Sequence, residues 1–288
     1  MIRSLILSAV CAMSLTPAYA EESYPDAKAI VSIGGPVTEI LFALGAGERV
    51  VARDTTAQFP AAVMELPDVG YMRRLSAEGV LSVGPDLIIA RHTSGPPETL
   101  DLLRAASVPV VLVQDAFTGE AVSAAIRKVG SAIGEGKKAE TLATEVEADL
   151  NQLAVDIADV AEKKRVMFIL SNDGGRLNVA GRDTGAHGII TLAGGDNMMG
   201  PAFSGYKLLN DEAIIKAQPE LILMMTGRGD HEGRAEEILA LPAIASTPAG
   251  VNGAFQVIPG AALGFGPRTA AFARSLHDII YDEKPVRH

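Results

Sequence analysis

Two short segments carry the residue types best able to do chemistry, and they echo each other. Gly70-Tyr71 precedes Glu78 by nearly the interval at which Gly205-Tyr206 precedes Glu212. Tyr71 is closely followed by Arg73 and Arg74, whereas Tyr206 has only Lys207 beside it. A free phenol ionises near pH ~10; a neighbouring guanidinium favours phenolate, the form that binds ferric iron and that can serve as an axial ligand of haem iron. The same tyrosine also fits a loop anchor whose hydroxyl bonds a backbone carbonyl. If the two segments are related, both phenols face one space.

Other chemistries are poorly represented. The one cysteine, Cys11, lies inside an N-terminal apolar run, so the rest of the chain holds no disulfide, thiolate site or cysteine nucleophile. His92, His187, His231, His277 and His288 are scattered without the close pairing of a zinc helix, and His187 is expected to be solvated in the first turn of a helix. The sequence lacks G-x-S-x-G, G-x-x-x-x-G-K-S/T, H-E-x-x-H and G-x-G-x-x-G, so no catalytic residue and no catalytic cofactor is expected. Met72, Arg74, Met198, Tyr206 and Phe265 are candidate walls for a flat ligand, core packing being the other use of the apolar ones. Gly34-Gly35-Pro36 and Asp173-Gly174-Gly175 suit either a phosphate cradle or a tight strand-to-helix turn.

The elements that position these residues read as a duplication. Ser76 to Ile89 and Asn210 to Leu223 both run cap, acidic first turn, short helix, Pro, apolar strand. A second echo pairs Ile40 to Gly47 with Ile189 to Gly195, each a helix end closed by glycines, and in each half a strand (Ala29 to Ile33, Arg165 to Leu170) runs into glycines beforehand. Two copies of one α/β unit account for both echoes. Between them Leu142, Val146, Leu150, Leu153, Ile157 and Val160 form an apolar stripe at helical spacing. The stripe predicts one helix over Lys137 to Ala161, roughly 37 Å long at 1.5 Å per residue.

The expected organisation is a signal peptide (residues 1–20), an N-terminal α/β lobe (21–136), a connecting helix (137–162) and a C-terminal α/β lobe (163–288). The fold class is therefore α/β, two similar lobes with mainly parallel sheets joined by a long backbone helix around a ligand cleft. Arg3, the apolar stretch from Leu5 to Leu15 and Ala18-Tyr19-Ala20 have the layout of a secretory signal cleaved after Ala20. With 25 basic against 35 acidic residues, the chain is not suited to nucleic acid.

The segment Leu66-Pro67-Asp68-Val69-Gly70-Tyr71-Met72-Arg73-Arg74-Leu75-Ser76-Ala77-Glu78-Gly79 resembles the haem-site segment of periplasmic hemin-binding proteins of ABC importers. Thr38 to Gly45, Ala193 to Asn197 and Leu263 to Arg268 resemble that family too, though Thr-Glu-Ile and Pro-Asp-Leu-Ile are shared with siderophore and cobalamin binders. The resemblance implies a monomeric carrier that takes ferric haem as transported ligand and delivers it to a permease dimer in the inner membrane, without being an enzyme. It implies Tyr71 as the axial iron ligand, with Arg73 and Arg228 supporting it. Some relatives bring a histidine from the second lobe; here that loop reads Ser171-Asn172-Asp173, so a single protein ligand for one haem is expected. Glu78 and Glu212 match the glutamates that dock such proteins onto a permease, one per lobe. The alternatives are a ferric-siderophore or cobalamin carrier of the same fold and, in a different class, a periplasmic haem-using enzyme.

Overall fold

The computed structural model describes residues 22–226 and 234–281. The expected signal segment, Arg228, His231 and His288 lie outside the described residues.

In the first lobe, strands β1 (Ile30–Ile33), β2 (Val50–Arg53), β3 (Leu87–Arg91) and β4 (Val110–Val113) form a parallel sheet ordered β2-β1-β3-β4. Their unbroken apolar runs are explained by burial on both faces. Alternate residues divide between two layers: Ile30, Leu87 and Ile89 pack on α1 (Gly35–Ala43) and α4 (Gly119–Ala132). Val31, Ile33, Ile88 and Ala90 pack on α2 (Ala77–Leu81) and α3 (Pro97–Ala105). Ile30, Ile33, Leu87, Ile88 and Ile89 are fully enclosed, and each such side chain contributes about 1.5–3 kcal/mol.

The second lobe departs from the expected parallel copy. Strands β5 (Arg165–Asp173), β9 (Leu221–Thr226) and β10 (Phe255–Pro259) are parallel and β5 also pairs in parallel with the short β7 (Asp196–Asn197). Strands β6 (Arg176–Ala180) and β8 (Tyr206–Leu209) are antiparallel additions, giving a mixed sheet ordered β10-β9-β5-β6-β8. The cause is local: Gly174 and Gly175 both take positive φ, 60° and 90°, which makes a two-residue hairpin where the first lobe has a strand-to-helix turn. Helix α6 (Gly185–Leu192) thus starts one strand later than α1 does. Helix α7 (Asp211–Ala217) leads into β9, the short helices α8 (Ala235–Leu239), α9 (Pro242–Ala245) and α10 (Pro248–Asn252) lead into β10, and α11 (Thr269–Tyr281) closes the described chain.

The duplication nonetheless persists in atomic detail. After α1, Gly45 N–H bonds Phe42 O at 3.0 Å and Ala46 N–H bonds Leu41 O at 2.9 Å; after α6, Gly194 N–H bonds Thr191 O at 3.0 Å and Gly195 N–H bonds Ile190 O at 2.9 Å. Gly45 and Gly194 adopt φ of 76° and 80°, the left-handed closure that glycine alone takes without strain. The paired caps agree as well: Ser76 Oγ accepts from Gly79 N–H and Asn210 Oδ1 from Ala213 N–H.

Helix α5 (Gly136–Asp156) joins the halves and is five residues shorter at its far end than the apolar stripe implies. At about 1.5 Å per residue it spans ~31 Å. Ile157 keeps the spacing because it lands on Gly194 at the closure of α6, and the chain turns there to enter β5. Val160 likewise lies beyond the helix. One end of α5 sits on α4, where Gly130 and Ala139 approach so closely that a Cβ on Gly130 would overlap Ala139. Nearer its other end, Arg274 of α11 donates to Asp149 O at 3.0 Å. The helix is held by both lobes.

The lobes also meet directly. Arg268 donates through Nε and Nη2 to the two carboxylate oxygens of Glu39, at 3.0 and 2.6 Å, with its guanidinium 3.8 Å from the Phe59 ring centre and 4.9 Å from that of Phe272. Phe265, at φ 60°, packs edge-on against Phe117 with 5.5 Å between ring centres. Gly188 on α6 lets both residues approach: a Cβ there would lie 2.5 Å from Phe265 Cζ and 2.4 Å from Phe117 O.

Candidate functional site

Tyr71 sits on a loop at the carboxyl ends of the first lobe's parallel strands, the edge where α/β proteins bind ligands. The backbone before it is zipped to the end of β2: Arg53 N–H bonds Pro67 O, Val69 N–H bonds Arg53 O and Thr55 N–H bonds Gly70 O, all within 2.9 to 3.0 Å. Asp68 reinforces this zipper, accepting from Arg53 Nη1 at 2.9 Å, Thr55 Oγ1 at 3.2 Å and Gly70 N–H at 2.8 Å. Gly70 takes φ 98°, which turns the chain outward into Tyr71. Beyond the tyrosine, Gly95 N–H bonds Met72 O and Leu75 N–H bonds Gly95 O, both at 2.9 Å. Tyr71 itself is 39% exposed. An exposed phenol therefore stands on a backbone tied down on both sides, the arrangement that presents a side chain with little conformational freedom left to lose on binding.

Beneath the loop lies Asp54, fully buried at the end of β2. Its carboxylate accepts from Gly34 N–H at 2.8 Å, Thr56 N–H at 3.0 Å and Thr56 Oγ1 at 3.0 Å. Burial pushes the Asp54 carboxyl above the usual carboxylate range, opposed by those same hydrogen bonds. Gly34 closes in from the neighbouring strand at φ 105°, with no room for a Cβ beside Arg91.

Across from Tyr71's loop, Tyr206 begins β8 and is half-buried. Its phenol is pushed up by burial, an effect opposed by the Arg73 charge and by a hydrogen bond with Thr184. Arg73, which the sequence assigned to Tyr71, thus acts on the second lobe's tyrosine, while Lys207 lies 5.3 Å from the Phe203 ring centre. A phenol raised in this way stays protonated near neutrality and can donate a hydrogen bond. Thr184 caps α6, accepting from His187 N–H at 3.1 Å and donating to Gly181 O at 2.8 Å.

The remaining sequence candidates divide clearly. Arg73 and Arg74 are exposed beside Tyr71. Met72 is only 6% exposed and packs with Val31, Ile33 and Leu75 in the first lobe's core, so it is not a cleft wall; the turn that exposes Tyr71 sends its neighbour inward. Phe265 is buried at the junction with Phe117 and is not an open wall either. Met198 is half-buried against the second lobe's core. Glu78 and Glu212 are exposed in the first turns of α2 and α7.

Of the described histidines, His92 is exposed and His277 bonds Ala193 O at 2.9 Å. His187 is half-buried instead of solvated, its Nδ1 3.4 Å from Asn197 Nδ2, because the Asn197 loop folds over its ring. Among the described residues no three His, Cys, Asp or Glu side chains cluster as a metal site, and no helix is long and apolar enough to cross a membrane. Sequence reasoning missed Asp54 and Asp68. The one hint was an acidic residue closing each short segment before Thr55 and Gly70.

The sequence matches the family described as periplasmic binding protein over residues 30–262. Among solved structures it is similar to the periplasmic heme-binding protein RhuT from Roseiflexus sp. RS-1 in apo form, with a TM-score of 0.84 and 37% identity over 89% of this chain and 98% of that one. It is also similar to the periplasmic heme-binding protein BhuT in complex with two hemes, with a TM-score of 0.83 and 34% identity over 88% of this chain and 98% of that one. Among curated proteins, an uncharacterized ABC transporter substrate-binding lipoprotein, YvrC of Bacillus subtilis (strain 168), is 29% identical over 69% of this chain; the match spans 64% of that protein's length. A vitamin B12-binding protein of Pectobacterium atrosepticum is 23% identical over 70% of this chain and 73% of its own length.

Proposed function

The chain belongs to the periplasmic binding protein family, and from that premise we propose that it binds one ferric haem between its lobes through Tyr71 and hands it to an ABC importer. The observation that carries this reading is the phenol of Tyr71, exposed on a loop pinned on both flanks at the ligand-binding edge of its sheet. Phenolate oxygen is a hard anionic donor suited to ferric iron, and one such ligand suffices for haem because the porphyrin supplies the other four. Arg73 and Arg74 give the approach positive charge that attracts the haem carboxylates. Arg228 is assigned a supporting part in the same site on the strength of the family resemblance. The likeness to RhuT and BhuT, both heme-binding proteins, supports haem over other iron chelates.

Tyr206 takes a different part from Tyr71. As a neutral phenol it lines the opposite wall and donates a hydrogen bond to the ligand, leaving the iron to the first lobe. Glu78 and Glu212, exposed on equivalent helices of the two lobes, are assigned to docking on a two-fold permease. Neither role needs bond-making by the protein, so the chain is read as a carrier and not an enzyme.

Titrating hemin into the purified protein tests the reading. A Soret band that shifts and saturates at one equivalent, and is altered in Tyr71→Phe, is expected. A spectrum identical in Tyr71→Phe refutes iron ligation by Tyr71. The second reading, a cobalamin carrier, is favoured by the vitamin B12-binding relatives; cobalamin binding by equilibrium dialysis, with no stable hemin complex, would establish it instead.

A further inference from the structure

The turn that presents Tyr71 hinges on Gly70, at φ 98° and with open space where a side chain would be. Glycine moves between conformations at little steric cost, so the hinge is stiff only if other groups hold it. Both peptide units that flank Gly70 are tied. Its N–H donates to Asp68 Oδ1 at 2.8 Å, and its carbonyl accepts from Thr55 N–H at 3.0 Å. Thr55 Oγ1 donates to the same Asp68 oxygen at 3.2 Å, so one carboxylate joins both ties. The other oxygen takes Arg53 Nη1 at 2.9 Å, and that nitrogen also donates to Asp54 O at 3.2 Å.

Packing alone gives no reason for an arginine at position 53. Its side chain is 8% exposed, and Nε is buried without a hydrogen-bond partner among the described residues. Leaving that donor unmet costs free energy that an apolar side chain in the same space would not. The second lobe builds the same backbone bridge without the ion pair. Arg182 N–H bonds Phe203 O and Gly205 N–H bonds Arg182 O, the pattern in which Arg53 N–H bonds Pro67 O and Val69 N–H bonds Arg53 O. Gly205 also takes positive φ, 76°, directly before Tyr206. Yet Ser204 stands opposite Arg182 where Asp68 stands opposite Arg53, and the Arg182 side chain is 53% exposed. The pair is thus an addition made at the Tyr71 loop and not at the Tyr206 loop. Tyr206 is half-buried against the core and is held by packing, whereas the exposed Tyr71 is aimed by its backbone.

We infer that Asp68, locked by the buried Arg53, is the positioning residue for Tyr71: its carboxylate stiffens the Gly70 hinge and so fixes the direction in which the phenol leaves the loop. That role presupposes Tyr71 as the group that meets the ligand.

Two substitutions separate positioning from stability. Asp68→Ala and Asp68→Asn both leave Arg53 without its counter-charge, and both are expected to lower the urea midpoint. Asparagine keeps a side-chain oxygen that accepts from Gly70 N–H in the same turn, whereas alanine does not. In ligand-free Asp68→Ala, amide hydrogen exchange at Gly70 is expected to rise about tenfold or more relative to the β3 amides. Hemin is expected to bind that variant about 10- to 100-fold more weakly, as when groups supporting a metal ligand are removed, with a Soret band moved toward that of Tyr71→Phe. Asp68→Asn is expected to restore most of the affinity and the wild-type spectrum. Wild-type affinity and spectrum in Asp68→Ala overturn the inference, and so do equal losses in the two variants, since destabilisation then accounts for both. Should Asp68→Ala not fold, Thr55→Val, which removes one bond to the carboxylate, is expected to give a smaller change in the same direction; no change in it then overturns the inference. If instead Tyr71→Phe keeps the wild-type spectrum, the haem reading fails, and exchange at Gly70 alone decides whether Asp68 holds the turn.

Discussion

Removing Arg268 should weaken the protein more than removing its partner Glu39, although the two form one ion pair. Side-chain exposure is 33% for Arg268 and 11% for Glu39. In Arg268→Ala the carboxylate is left largely enclosed with both its hydrogen bonds gone, a situation that costs about 3 kcal/mol when fully buried and less here. The guanidinium also loses its places over Phe59 and Phe272, together about 1 kcal/mol. A total of about 2–4 kcal/mol follows. In Glu39→Ala the guanidinium keeps both rings and reaches water, so about 1–2 kcal/mol is expected. The double variant should recover part of the Arg268→Ala loss, because it no longer strands a carboxylate. Urea unfolding of the wild type and the three variants provides the cycle, with the coupling expected at about 1–2 kcal/mol and little changed by salt. If Glu39→Ala costs as much as Arg268→Ala, or if the coupling falls below about 0.5 kcal/mol, the burial asymmetry is the wrong basis for the ranking and the pair does not join the lobes energetically.

Three further outcomes are expected. Gly70→Ala meets no neighbouring atom but must adopt φ 98°, so it should lose about 1–2 kcal/mol by backbone strain alone and weaken hemin binding; an unchanged unfolding midpoint would contradict the geometry. Glu140 and Glu147 are both held below the usual carboxylate range by hydrogen bonds from Arg127. Their contribution is therefore present above their ordinary pKa near ~4.3 and is lost as pH falls below it; Arg127→Ala should flatten the acid limb of the stability profile, and an unaltered limb would count against the pair. Tyr206 should ionise above the ordinary phenol range because it is buried, so in alkaline absorbance titration Tyr206→Phe should remove a late-titrating step; loss of an early step instead would show that Arg73 outweighs burial.

The comparison of the two halves explains what was legible. The caps at Ser76 and Asn210, the glycine closures at Gly45 and Gly194 and the apolar strands were readable because each is decided by residues within one or two turns. The hairpin at Gly174-Gly175 was misread as a strand-to-helix turn, since the same two glycines suit both and only the following strand β6 tells them apart. The end of α5 was overrun for a related reason: Ile157 is apolar because it packs on α6, and periodicity does not distinguish that from helix. Met72 and Phe265 were offered as walls because apolar residues beside a site and in a core have the same composition.

The amino-acid sequence by itself determined the two-lobe α/β plan, the exposed glutamates at matching helix starts and a tyrosine flanked by arginines on a glycine turn. These are local facts, set by side-chain type and by glycine's access to positive φ. Tertiary structure decided which groups act on one another. It put Arg73 within reach of Tyr206, bonded Asp54 to the turn after β1, and brought Glu39 to Arg268 across 229 residues. Those contacts depend on how sheets and helices pack, and the energy of a buried charge is settled only by what surrounds it in space.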